Sequence, residues 1–216
     1  MFWFEFIFIR YTRDMPLYFI RHGESVANRD GFLAGRMDVP LTARGVEQAR
    51  TAGRELAARG IVMDGIMSSP LGRTRETARL IAEEIGFDQS KIEVVPLLLE
   101  RELGSVQGLP AGGLEKMTSS EKIAAGVETD DMLRDRAYQV IRWARGLQAD
   151  KKNILLVSHS GLGRRIFALL QGVGTAEVGV LPNAEVLPID QRLLNSEVFS
   201  QMLLQKTTGT SIVKNS

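Results

Sequence analysis

Apolar residues along this chain fall into two patterns. Short, mostly apolar runs occur at Leu17–Ile20, Ile61–Met67, Ile92–Leu99 and Ile154–Val157, with a weaker one at Glu185–Ile189. Runs without clean polar alternation predict strands buried on both faces, as in a parallel sheet. Between them, apolar residues recur every three or four positions. Thr42 stands as an N-cap before a stripe of Val46, Ala49, Gly53, Leu56 and Ala57 that stops at Gly60, which predicts a helix. The turn Ser68–Arg75 feeds a second helix from Thr74 to Ile85. Leu133, Ala137, Val140, Ile141 and Ala144 share one face of a helix over Asp130–Leu147, and another helix is expected over Gly161–Leu170. Strands and helices alternating at these lengths predict an α/β fold: a doubly wound, mostly parallel sheet flanked by helices, in three layers α/β/α.

The same pattern divides the chain. Residues 15–190 read as one catalytic-sized domain. Residues 108–127, rich in Gly, Ser, Thr, Lys and Ala, read as a short insert or lid. Residues 1–14 read as an extension outside the core, from an upstream start codon, because Met15 comes just before the first strand. An extra edge strand or a homodimer contact is the alternative. In residues 191–216, Leu193, Leu194, Val198, Met202 and Leu203 suit a helix packed on the body, followed by a polar tail.

Composition narrows the partners. The 216 residues carry a formal net charge of +1, which gives no sign of nucleic acid as a partner. The absence of cysteine removes disulfides, cysteine-ligated metals and a cysteine nucleophile, and fits a reducing, cytoplasmic location. The apolar start, Met1 to Ile9, is interrupted by Glu5 and falls well short of the ~20 residues that span a bilayer, so no membrane attachment is expected. It also lacks the basic start and small-residue cleavage site of a secretory signal.

Candidate chemistry gathers at the ends of the strands. Only two histidines occur, His22 and His159, and each follows an apolar run directly. Arg21 precedes His22, Arg73 follows the second strand, and Glu100 follows the third. In a parallel sheet these ends lie along one edge, where open α/β folds bind ligands. A histidine nitrogen is a nucleophile, and arginines are permanent anion forks. The set suits phosphoryl transfer: His22 attacks phosphorus, Arg21, Arg73 and His159 surround the phosphate oxygens, and Glu100 protonates the leaving oxygen and then activates water. Backbone N–H groups at the start of the helix after His159 add to the cradle. The bland alternatives are hydrogen-bonded core histidines, a surface cap at Arg73 and a solvated charged loop at Glu100. A metal site of His22, His159 and Glu100 is chemically conceivable, but Arg21 and Arg73 would repel a divalent cation, so no metal and no cofactor is expected.

With these residues in view, the chain resembles the histidine phosphatase superfamily, in its phosphoglycerate mutase-like branch. Arg21-His22-Gly23-Glu24-Ser25 with Asn28 is similar to the segment around that family's nucleophile. Ser68-Ser69-Pro70-Leu71-Gly72-Arg73-Thr74-Arg75-Glu76-Thr77-Ala78 is similar to the segment with its second phosphate-binding arginine. Glu100 with Gly104 and Gln107-Gly108, and Ser158-His159 with Arg164, resemble the proton-donor and second-histidine segments. The resemblance runs from about Pro16 to Ile189. It implies a phosphohistidine intermediate on His22, Arg21, Arg73, Glu100 and His159 in the roles above, and Asn28 as a further phosphate contact. Ser160, where the family often has glycine or asparagine, is expected beside the substrate.

Departures from the mutase pattern decide the expected activity. The mutase's tyrosine position holds Leu103, its lysine position Ala111, and its tryptophan position Arg36. Only a short stretch separates Gly108 from the helix at Asp130, too short for the mutase insert with its arginine pair. A mutase must keep water from its intermediate, and a short lid admits water. The expectation is therefore a metal-independent phosphomonoester hydrolase, a phosphatase of the histidine type, taking a small phosphorylated substrate and releasing inorganic phosphate. A phosphoglycerate mutase and a non-catalytic phospho-ligand binding protein are the alternatives.

Overall fold

The computed structural model describes residues 17–147 and 153–190. The expected extension at residues 1–14 and the expected C-terminal helix and tail at 191–216 lie outside the described residues. The elements, in chain order, are β1 (Leu17–Arg21), α1 (Val26–Asp30), α2 (Ala43–Ala58), β2 (Gly65–Ser68), α3 (Gly72–Ile85), β3 (Glu93–Val94), α4 (Ser119–Ala124), α5 (Asp130–Leu147), β4 (Ile154–Ser158), α6 (Ser160–Gln171), α7 (Thr175–Val178) and β5 (Val186–Pro188). The sheet order is β3-β2-β4-β1-β5, with β5 antiparallel to β1 and the other neighbours parallel. This is the doubly wound, mostly parallel arrangement that the strand and helix pattern predicts.

Alternation along each strand sorts side chains into two cores. Leu17 and Phe19 of β1, with Ile154 and Leu156 of β4, face α5 and α6. Tyr18, Ile20, Leu155 and Val157 face α2 and α3. Both faces are covered at β1, β2 and β4, so these strands carry no polar alternation, and the three layers follow. Phe19 meets Phe167 of α6 edge-on, with ring centroids 5.7 Å apart.

Two strands are shorter than the apolar runs suggest. β2 begins only at Gly65, because Ile61–Asp64 is spent reaching the sheet. The run Ile92–Leu99 yields only Glu93–Val94 as strand. Pro96 has no N–H for a ladder, and the chain tightens into a 3₁₀ turn over Pro96–Leu98. Glu100 therefore stands six residues beyond β3, not at the tip of a strand. Two helices instead start earlier than expected: α3 at Gly72, which puts Arg73 in its first turn, and α6 at Ser160.

The insert is more ordered than a Gly-rich lid implies. Thr118 and Glu121 form a capping box on α4. Leu103, Val106 and Val127 make a small separate core with Leu33, Leu114 and Met117 against it. Among the described residues no helix is long and apolar enough to cross a membrane.

Candidate active site

The register of β1 on β4 pairs Arg21 with Ser158, so the residues that follow, His22 and His159, emerge side by side. Backbone bonds lock this pairing beyond the strands: the His22 N–H donates to the Ser158 carbonyl at 3.0 Å, and the Ser69 N–H to the Val157 carbonyl at 3.0 Å. The two imidazoles end with centroids 5.2 Å apart. Position 23 takes glycine because a Cβ there would collide with the Gly45 carbonyl.

His22 is 4% exposed and held at both nitrogens. Its Nδ1 sits 2.7 Å from the Gly23 carbonyl, an acceptor only, so the hydrogen is assigned to Nδ1 and the lone pair to Nε2. That lone pair accepts from Arg73 Nε at 3.2 Å. Arg73, itself 2% exposed, also donates to the Met37 carbonyl at 2.8 Å and the Gly35 carbonyl at 2.7 Å. The loop after α1 thus aims the guanidinium from one side while α3 anchors it from the other.

His159 is fully buried at the N-cap of α6, and its Nε2 lies 2.8 Å from Ser69 Oγ. Arg21 donates to the Leu181 carbonyl at 2.7 Å. Arg21 Nε and His159 Nδ1 are buried polar atoms with no hydrogen-bond partner among the described residues. Arg164 Nε and Arg165 Nε share that state; such atoms are rare in folded proteins, and those of Arg21 and His159 are free to donate to an anion.

Electrostatics agree with that geometry. Burial pushes the His22 imidazole well below its ordinary pKa, and the nearby Arg73 and Arg21 charges push the same way against the Gly23 hydrogen bond. Burial likewise pushes the His159 imidazole well below its ordinary pKa, helped by His22, Arg73, Arg136 and Arg21. Burial also lowers Arg21 and Arg73, with Glu100 opposing both shifts. Two neutral imidazoles thus sit beside two guanidiniums, an environment that attracts anions and repels divalent cations.

Glu100 reaches the same edge by another route. Its carboxylate accepts from the Gly161 N–H at 3.1 Å and the Leu162 N–H at 3.2 Å, at the start of α6, and from the Arg101 N–H at 2.8 Å. The helix terminus that the sequence assigns to phosphate therefore holds a carboxylate, which the same N–H groups and dipole favour. A Cβ on Gly161 would stand 2.5 Å from Glu100 Oε1, so glycine is what lets the carboxylate dock there.

Asn28 is the N3 residue of α1, and its Oδ1 accepts from the Ser25 N–H at 3.1 Å. Asn183 links it to the site, donating from Nδ2 to the His22 carbonyl at 2.8 Å and to Asn28 Oδ1 at 3.2 Å. Ser160, half-buried, opens α6 next to His159. Sequence reading overlooked Asn183, Thr77, which accepts the Gly23 N–H at 3.1 Å, and Ser69 as the partner of His159. Ser69 and Thr77 lie in the segment Ser68–Ala78 that stands out in the sequence, whereas nothing marks Asn183.

A family model describing the histidine phosphatase superfamily (branch 1) matches residues 17–191. The chain belongs to that superfamily. Relatives include a 2,3-bisphosphoglycerate-dependent phosphoglycerate mutase of Beijerinckia indica, 26% identical over 89% of this chain and 99% of that protein. The corresponding mutase of Parvibaculum lavamentivorans is 36% identical, but over only 50% of this chain and 51% of its own length. A second, from Afipia carboxidovorans, is likewise matched over 53% of its length, so the chain spans about half of these two relatives. Among solved structures, the alpha-ribazole phosphatase of Shigella flexneri superposes with a TM-score of 0.64 at 27% identity, covering 81% of this chain and 89% of that one. A mycobacterial glucosyl-3-phosphoglycerate phosphatase gives a TM-score of 0.63 at 26% identity, over 79% and 87%. Phosphatases and mutases of this superfamily share phosphoryl transfer, the chemistry to which the two histidines and two arginines point.

Proposed function

We propose that this member of the superfamily is a phosphomonoester hydrolase that needs no metal and works through phospho-His22. The observation that carries the reading is His22 itself: a neutral, buried imidazole with Nδ1 tied to the Gly23 carbonyl and its Nε2 lone pair turned toward Arg73.

In the first step, Nε2 gives up the Arg73 hydrogen bond and attacks phosphorus. The bond from phosphorus to the leaving oxygen breaks, and protonated Glu100 supplies that oxygen with its proton. The freed Arg73 N–H turns to a phosphate oxygen, beside Arg21 and His159. Ser69 O–H donating to His159 Nε2 would leave the hydrogen on Nδ1, directed at phosphate. Asn28 and Ser160 flank the same group. In the second step, Glu100 takes a proton from water, the water oxygen bonds to phosphorus, and the N–P bond breaks to release inorganic phosphate. Charge on the transferring group is met by guanidiniums, the part a metal would otherwise play.

Two features favour hydrolysis over phosphoryl return to the substrate. Arg101 is committed to its own chain, donating to the Glu128 carbonyl at 2.8 Å and pairing with Asp130 at 3.1 Å. The insert after Gly108 is short and packs Leu114, Met117 and Val127 against Leu103 and Val106 of the preceding segment. A mutase remains the second reading, because the relative matched over 99% of its length carries that name.

The test is phosphate release from a panel of phosphomonoesters including 3-phosphoglycerate, in EDTA, with His22→Ala as control and formation of 2-phosphoglycerate followed in the same tubes. Release that survives EDTA and disappears in the variant is expected. Isomerisation without release would replace the hydrolase with a mutase, and phosphate binding without either activity would leave a binding protein.

A further inference from the structure

Four successive carbonyls leading to Glu100 accept from side chains. Arg136 of α5 donates from Nη1 to Leu97 at 3.2 Å and to Leu99, and from Nη2 to Glu100 at 3.2 Å. Ser158 Oγ donates to Leu98 at 2.8 Å. Arg36 Nε gives the Glu100 carbonyl a second donor at 3.1 Å. This segment has left the sheet, so no neighbouring strand supplies those bonds, and carbonyls shielded from water, fully at Leu98 and partly at the other three, need them.

Glu128 in turn orients the arginines. Its two oxygens accept from Arg136 Nε at 2.9 Å and Nη2 at 2.7 Å, a bidentate pair, while Arg36 Nη2 lies 3.7 Å away. The Glu102 N–H also donates to Glu128, at 3.1 Å. The pair is well buried, with side-chain exposures of 13% for Arg136 and 7% for Glu128. A bidentate carboxylate fixes the plane of a guanidinium and leaves its outer N–H groups aimed in set directions. Here those directions are the carbonyls of Leu97, Leu99 and Glu100.

We propose that Arg136, oriented by Glu128, is a positioning residue that sets where the Glu100 carboxyl stands in the active site. Glu100 is held at two ends: its carbonyl by Arg136 and Arg36, and its carboxylate by the first N–H groups of α6. Releasing the carbonyl end lets the residue drift while the histidines and Arg73, carried by other elements, stay in place. The inference rests on the reading above, in which Glu100 is the acid and base. The rival is a buried ion pair that only ties α5 to the sheet.

Leaving-group dependence separates the two. The full chain is compared with Glu128→Gln, Arg136→Lys, Arg136→Met, Glu100→Gln and the double variant Glu100→Gln/Arg136→Met. Each is assayed on nitrophenyl phosphate, whose leaving group needs little protonation, and on glycerol 1-phosphate, whose leaving group needs it. In Arg136→Met and Glu128→Gln, kcat for glycerol 1-phosphate is expected to fall at least about tenfold more than kcat for the aryl ester, the scale of an acid displaced by a fraction of an ångström. KM and inhibition by inorganic phosphate should stay close to wild type, Arg136→Lys should lie between, and the double variant should be no slower than Glu100→Gln. Equal losses on both esters, losses that multiply in the double variant, or weakened phosphate inhibition would overturn the proposal. If Arg136→Met does not fold, Glu128→Gln and Arg136→Lys decide alone by the same ratio. Failure of the wild type on both esters would count against the hydrolase reading itself, whereas wild-type turnover with no leaving-group split in the variants removes only this inference.

Discussion

The two halves of the site are built in different ways. The proposed phosphate cradle is made by backbone: β1, β2 and β4 lie in register, and His22, Ser69 and His159 leave them at one edge, pinned by main-chain bonds across the strand ends. The Glu100 half is made by side chains: a segment outside the sheet hangs from Arg136, Arg36 and Ser158. A ladder tolerates the loss of any one side chain, because its hydrogen bonds belong to the main chain. A segment suspended from three side chains does not. Substitutions in the cradle should therefore act on binding and turnover of every substrate, and substitutions around Glu100 should act on the leaving group.

The largest effect is expected at His22, the proposed nucleophile. His22→Ala should lower turnover by at least about 10⁴-fold on every ester, with a melting transition still present. Stopped-time phosphate release and calorimetry check both. Arg73→Ala should cost about 10²–10³-fold, the scale of one lost charged donor, alike on alkyl and aryl esters, and should weaken vanadate inhibition. An alkyl-selective loss there would erase the contrast between the two halves.

Glu100→Gln should break the comparison the other way. Rates on an alkyl phosphate should fall about 10²-fold and those on nitrophenyl phosphate only a few-fold; equal losses would remove Glu100 as the acid. Two glycines sharpen the same contrast. Ala at 23 meets the Gly45 backbone carbonyl and should destabilise the fold by about 1–3 kcal/mol in urea melts. Ala at 161 meets only the movable end of Glu100, so stability should hold while alkyl turnover drops. Reversed outcomes would mean that the carboxylate, not the strand edge, holds the site.

A last prediction concerns the dependence of stability on pH. Both histidines titrate below their ordinary 6.5 in the folded state, chiefly because burial disfavours their charge. Above that value folded and unfolded chains bind the same number of histidine protons, and the stability is fully present. As pH falls below it, only the unfolded chain takes up protons, so stability declines by up to about 1.4 kcal/mol per pH unit for each histidine. Urea melts between pH 7.5 and 5 should show the decline, and His159→Gln should roughly halve it. An unchanged slope in that variant would mean that His159 is charged in the folded protein.

How much of this was legible beforehand follows the same division. Apolar runs ending in Arg21-His22 and Ser158-His159 show strand tips in the sequence, because burial on both faces leaves a local mark and the next polar residue marks the edge. The run to Leu99 misleads: of its apolar residues only Leu98 is fully buried, Val94 stands exposed, Pro96 bars a ladder and the chain turns into a 3₁₀ segment. Arg136 lies on α5 among charged residues that read as a solvated face, and Glu128 just before that helix has no periodicity at all. Nothing local tells a buried bidentate pair from two surface charges.

The sequence by itself thus determined the alternation of strands and helices, the two-faced burial of β1 and β4, and the residues able to do chemistry at their ends. Those properties depend on side-chain polarity at short spacing. Tertiary structure alone decided that Glu100 docks on the first N–H groups of α6, that Ser69 and Asn183 complete the histidine contacts, and that Arg136 and Glu128 carry the segment between sheet and site. Those contacts join residues distant along the chain, and they exist only once the strand register and the packing of α5 bring them within hydrogen-bond range.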